Sequence, residues 1–140
     1  MIIQIKNIGE TISIVSSRHY GEEIRIGPNG IDGYEVVCKL SKNATLPFEI
    51  SHLKEIEVCK KWLQYNAKMR VTRNERGGSY SLKHWVEDEY KSECGQYISN
   101  GSFIKAALDM GYIAYWPEHG PNCHFNMSFG TMSPTRGQMK

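Results

Sequence analysis

Ser99-Asn100-Gly101-Ser102-Phe103-Ile104-Lys105-Ala106-Ala107-Leu108-Asp109-Met110-Gly111, followed by Tyr112-Ile113-Ala114-Tyr115-Trp116, is the stretch on which the fold turns. Ser99 suits a helix N-cap, and Gly111 suits the left-handed residue that closes a helix. Between them Phe103, Ile104, Ala106, Ala107 and Leu108 form an apolar helical run. Tyr112–Trp116 and Cys123–Phe129 then read as two strands, turned by Pro117-Glu118-His119-Gly120-Pro121-Asn122. Upstream, Ser81–Lys91 predicts another helix, with Leu82, Trp85, Val86 and Tyr90 on its inner face. Its Glu87-Asp88-Glu89 run is expected to face water, and Cys94-Gly95 to end it. The second half is therefore a helix–helix–hairpin unit.

Working back, Asn74–Gly78 is a loop and Met69–Thr72 a short strand. A helix before it starts at Ser51 as N-cap, with Leu53, Ile56, Cys59 and Leu63 on one face beside Trp62. The first forty residues read as strands: Ile2–Ile5, Thr11–Val15, Glu22–Ile26 and Tyr34–Leu40. Gly27-Pro28-Asn29-Gly30 is the strongest turn signal among them. Sequential strands usually pair, so an N-terminal antiparallel β-meander is expected. The fold class is α+β: meander, one helix, then a winged-helix-like helix–helix–β-hairpin unit. One compact domain spans 1–130, strand-rich over 1–48 and helical with the hairpin over 50–129, and 131–140 is expected to be a disordered tail.

The chain has 140 residues, 40% apolar and 23% charged, with a formal net charge of +2. This is ordinary globular usage and demands neither nucleic acid nor an anionic membrane. No run approaches the ~20 apolar residues of a membrane span, and Met1-Ile2-Ile3-Gln4-Ile5-Lys6 lacks the pattern of an export signal. A cytoplasmic location is expected, with Cys38, Cys59, Cys94 and Cys123 as free thiols.

Four constellations bear on chemistry. A winged helix would place the Ser99 helix in a DNA groove, but only Asn100, Ser102, Lys105 and Asp109 lie outside its apolar positions. The hairpin carries no Lys or Arg for phosphates, so this helix reads as core rather than as a base-reading helix. Lys68, Arg70, Arg73 and Arg76 form a basic patch suited to phosphate, RNA or an acidic protein face, or else to a solvated strand edge. His84, Cys94, His119 and Cys123 offer zinc-ligand types without the usual spacing, and Cys123 and His124 point to opposite faces of a strand, so no cofactor is expected. Trp116 is a candidate exposed anchor at the hairpin turn. No G-x-S-x-G, H-E-x-x-H or P-loop is present, so the chain reads as a binding protein rather than an enzyme.

Three segments carry a resemblance: Ser79-Tyr80-Ser81-Leu82-Lys83-His84-Trp85-Val86-Glu87, Tyr97-Ile98-Ser99-Asn100-Gly101-Ser102-Phe103-Ile104-Lys105-Ala106-Ala107, and Pro121-Asn122-Cys123-His124-Phe125-Asn126. The pattern S-Y-x-L-K-H, Y-[IV]-S-N-G-x-F-I-x-A-A, P-N-x-x-F-N resembles small uncharacterised proteins of phages, plasmids and integrated elements. It covers about Ser79–Ser128. The resemblance implies an accessory protein acting on a host protein or nucleoprotein complex in a bacterial cell, as anti-CRISPR inhibitors of host defence do. It assigns no catalytic residue. Helix packing accounts for most of the pattern, but Lys83 and His84 have no obvious packing role and are the first functional candidates. A nucleic-acid-binding regulator using the Lys68–Arg76 patch is the alternative.

Overall fold

Ten elements are found among the described residues. In the computed structural model, residues 2–32, 47–94 and 97–129 are described. The strands are β1 (Ile3–Ile8), β2 (Thr11–Ile14), β3 (Arg25–Gly27), β4 (Gly30–Asp32), β5 (Lys68–Asn74), β6 (Ala114–Trp116) and β7 (His124–Ser128). The helices are α1 (Ile50–Asn66), α2 (Ser79–Cys94) and α3 (Asn100–Asp109). The class is α+β as expected. The predicted Tyr34–Leu40 strand, Cys38, Gly95 and the tail lie outside the described residues.

α3 shows why the opening stretch decides the fold. Ser99 is the extended N-cap residue, although its hydroxyl makes no capping bond. Its own N–H is taken by Glu55 Oε1 of α1 at 2.8 Å, and Ser102 Oγ donates to the same oxygen at 2.9 Å. At the other end Gly111 adopts φ +95°, with Gly111 N–H bonded to Leu108 O and Tyr112 N–H to Ala107 O. That pair of bonds is the Schellman closure that a left-handed glycine permits. The helix is buried almost throughout, because α1, α2, β1, β3 and β4 all pack on it.

The main sheet has five antiparallel strands in the order β2-β1-β6-β7-β5. β1 buries Ile3 and Ile5 and exposes Lys6, the alternation expected of a sheet with one covered face. Two expectations change here. The N-terminal strands do not form a meander of their own: β1 pairs with β2 on one side and β6 on the other, and β3–β4 is a separate hairpin. β2 meets the segment before β3 at the Ser13–Glu23 bridge, with backbone bonds from Ile14 N–H to Glu22 O, Gly21 N–H to Ile14 O and Ile24 N–H to Ile12 O. The β6–β7 hairpin, in turn, is the centre of the sheet rather than a free wing.

That position also corrects Trp116. Flanked by β1 and β7, it is buried at 2% exposure and donates Nε1–H to Gly120 O at 2.9 Å. It is core, not an exposed anchor. α1 starts two residues earlier than expected, with Glu49 as N-cap in place of Ser51, and the Glu49 N–H is bonded to His52 Nδ1 at 2.8 Å. Ile56, Cys59, Trp62 and Leu63 line its inner face, while Leu53 is 57% exposed. Trp62, Trp85, Phe103, Phe125 and Phe129 form a continuous ring cluster at centroid distances of 5.3–6.1 Å. Burying each such ring stabilises the fold by about 1.5–3 kcal/mol.

Candidate functional site

The first turn of α2 is clipped to the strand that follows the long turn. Ser79 N–H donates to Cys123 O at 2.8 Å, and Ser79 Oγ accepts the Cys123 N–H at 3.2 Å. Downstream, Tyr80, Lys83, His84 and Glu87 recur at helical spacing, so they share one face. Glu87 was expected in water, but it is 7% exposed and gathers three donors. Lys83 Nζ lies 3.0 Å from Oε2, the Ile98 N–H donates to the same oxygen at 2.8 Å, and His84 Nδ1 lies 2.9 Å from Oε1. Burial pushes the Glu87 carboxyl up, but the Ile98 N–H, Lys83 and His84 outweigh it and hold the carboxyl below its ordinary range.

Lys83 is 3% exposed. Its ammonium sits 4.5 Å from the Tyr97 ring centroid and 5.1 Å from that of Tyr80. The Tyr80 ring also meets His84 edge-on at 4.5 Å. The two rings themselves are more than half exposed. The site is thus a buried ion pair under an aromatic rim. Lys83 and His84, which lacked a packing role in the sequence, are the donors that make a buried Glu87 tolerable.

A cleft of about 290 Å³ opens beside this rim. α2 contributes Tyr80 and Lys83, the residues before α3 contribute Tyr97, and α3 contributes Asn100. The β3–β4 turn adds Pro28 and Asn29, and the β6–β7 connection adds Pro121 and Asn122. Asn100 staples these loops: its Nδ2 donates to Asn122 Oδ1 at 2.9 Å, Asn29 O at 3.1 Å and Pro121 O at 3.3 Å. Backbone bonds from Ile31 N–H to Pro121 O and from Gly101 N–H to Pro28 O tighten the junction. A Cβ on Gly101 would overlap the Gly27 carbonyl, and one on Gly30 (φ +128°) would overlap that of Pro121. Asn100 Oδ1 is buried and has no hydrogen-bond partner among the described residues.

The basic patch lies elsewhere. Lys68, Arg70, Arg73 and Arg76 belong to β5 and the turn after it, at the sheet edge, where residues 68–72 are exposed. Arg70 Nη2 donates to Thr72 Oγ1 at 2.9 Å, and Arg73 pairs with Glu75. The zinc-ligand candidates do not converge: no group of three or more His, Cys, Asp or Glu forms among the described residues. His84 is engaged with Glu87, His119 is exposed, the Cys94 side chain lies outside the described residues, and Cys123 is buried. Burial pushes the Cys123 thiol far up, against a smaller opposing effect of its Ser79 bond, and Cys59 and Cys123 are both buried and form no disulfide.

Sequence reasoning found Lys83 and His84 but passed over Tyr80, Glu87, Tyr97 and Asn122. The Tyr80-to-Glu87 spacing was the available signal, masked by reading Glu87 as part of an acidic run. The three segments Ser79–Glu87, Tyr97–Ala107 and Pro121–Asn126 meet at this one cleft. No family model, curated protein or solved structure matches the chain.

Proposed function

We propose that the protein acts by binding, and that the cleft rimmed by Tyr80 and Tyr97 is its binding surface. The observation that carries this is the pairing of a rigid, buried Lys83–Glu87 floor with two half-exposed tyrosines. Exposed tyrosines held in place give large contact area at little cost in side-chain entropy, as interface anchors do. Tight glycine contacts and a three-way amide staple fix the cleft before any partner arrives. With the resemblance of these same segments to mobile-element proteins, the reading is an accessory protein that docks on a host macromolecule. Inhibition of a host defence complex, in the manner of an anti-CRISPR protein, is the role that reading suggests.

A second reading is favoured by one observation, the exposed basic edge of β5. It makes the protein a nucleic-acid-binding regulator whose phosphate contacts come from Lys68, Arg70, Arg73 and Arg76. The winged-helix route does not support it: α3 faces the core, and Lys105 is tied to Asp109.

The test is capture from bacterial lysate with tagged wild type, Tyr80→Ala/Tyr97→Ala and Arg70→Ala/Arg73→Ala as baits, with and without nuclease. A partner lost with the tyrosines and kept with the arginines is the expected result. A partner kept by the tyrosine variant overturns the cleft as binding surface.

A further inference from the structure

We infer that the cleft takes an unpaired nucleobase, a proposal that rests on reading the cleft as the binding surface and names its ligand. The ring of the base stacks on Tyr97 or Tyr80, and its polar edge meets the amide of Asn122, which Asn100 holds in place. Four observations carry this.

The rim supplies stacking surfaces. Tyr80 and Tyr97 are 53% and 58% exposed, and every base has a face that such a ring accepts. The floor supplies a complementary edge. Asn100 gives its Nδ2 to Asn122 Oδ1, which leaves an acceptor on Asn100 and a donor on Asn122. Asn100 Oδ1 itself is closed to solvent, so the polar group a base would meet is the amide of Asn122, which is exposed. A nucleobase edge brings a donor and an acceptor side by side; an aromatic peptide side chain stacks but brings no such pair.

The charge state argues in the same direction. Lys83 is matched by Glu87 at 3.0 Å, so a lone carboxylate or phosphate finds little uncompensated charge in the floor. A cationic ligand is excluded from the space between the rings, because the Lys83 ammonium already faces both of them. A neutral planar ring is what remains.

The surroundings suit a strand. Arg76 precedes Tyr80 by four residues, a chain distance of at most about 14 Å. Arg76 is exposed, while Lys68 and Arg70, also exposed, belong to the separate β5 edge. Aromatic stacking with a cation close by is how proteins hold single strands.

The experiment measures binding of a labelled short single-stranded oligonucleotide, a duplex of the same sequence, and free nucleoside monophosphates as competitors. Proteins are wild type, Tyr80→Ala, Tyr97→Ala, their Phe counterparts, Asn122→Ala and Arg70→Ala/Arg73→Ala, each checked for native circular dichroism. Single strands are expected to bind better than duplex, and at least one of the Tyr→Ala changes to weaken them about fivefold or more. The Phe variants keep the ring and should stay near wild type, which separates stacking from fold damage. Asn122→Ala should weaken binding by less than the tyrosine change. The arginine variant should reduce the salt dependence without abolishing binding.

Competition by monophosphates at concentrations where they bind directly would assign a free nucleotide as the source of the base; binding of the strand alone would assign a nucleic acid. Absence of binding by strand and monophosphate alike overturns the inference, as does strand binding indifferent to both tyrosines. If lysate capture then still yields a nuclease-resistant protein through Tyr80 and Tyr97, the binding reading stands and only the nucleobase falls.

Discussion

The Lys83 cleft and the β5 edge hold their charges in opposite ways. At the cleft an ammonium and a carboxylate are both nearly buried, and every bond Glu87 makes is to a group fixed by a helix or by the segment entering α3. At the edge, Arg70 bonds a neighbour two residues on, Arg73 does likewise with Glu75, and water surrounds them. A buried charge must be satisfied in one geometry or it destabilises the fold, so the cleft keeps a single shape. Solvated charges can move, and they lend attraction that salt screens. On the binding reading proposed above, the cleft is the part that selects a ligand, and the edge can only strengthen what the cleft selects.

The sharpest way to break this contrast is to remove one side of the buried pair. Glu87→Ala leaves the Lys83 ammonium and the Ile98 N–H without their acceptor. It should cost about 3–5 kcal/mol in chemical denaturation. Adding Lys83→Met should restore much of that loss, since an apolar replacement of both partners is tolerated far better than one orphan. A loss under about 1 kcal/mol for Glu87→Ala would place the pair in the class of solvated surface bridges.

Next in size is Gly101→Ala. Its methyl meets the Gly27 carbonyl, which cannot rotate away as a side chain would. Overpacking of this kind should cost about 3 kcal/mol, measured by urea unfolding. Its cleft should also bind less well, because the β3–β4 turn must shift.

Acid should test the buried pair as well. The Glu87 carboxyl is depressed in the folded state, so its contribution is fully present above the carboxyl's unfolded value of about 4.3. That contribution is lost as pH falls through the lower folded value. Wild type should therefore lose more stability than Glu87→Gln below about pH 4.5, and the two should run parallel above about pH 6. Parallel curves throughout would contradict a depressed Glu87.

The smallest effect is expected at the edge. Arg70→Ala/Arg73→Ala should change stability by no more than about 0.5 kcal/mol.

What could be read from sequence was local. The α3 start and its Gly111 stop, the Pro28-Asn29 turn and the extent of the hairpin each depend on residues adjacent in the chain. Strand order was not legible, because β1 finds β6 across more than a hundred residues and no periodicity encodes that choice. Trp116 was misjudged for the same reason: a ring at a hairpin end is exposed or buried according to which strand lies beside it, here β1. Glu87 looked like one carboxylate among three, and only its neighbours in space distinguish it. Its partner Ile98 lies beyond the end of its own helix. Asn100 and Asn122 could be read as a cap and a turn residue, while their mutual bond appears only once the loops converge.

One measurement addresses the account most directly. A photo-crosslinking amino acid is placed at Tyr97 on the cleft rim, or at Val71, 93% exposed on β5, and the protein is irradiated in bacterial lysate. The account predicts a discrete adduct from position 97, whether or not position 71 also gives one. An adduct from position 71 alone would contradict it and make the basic edge the binding surface.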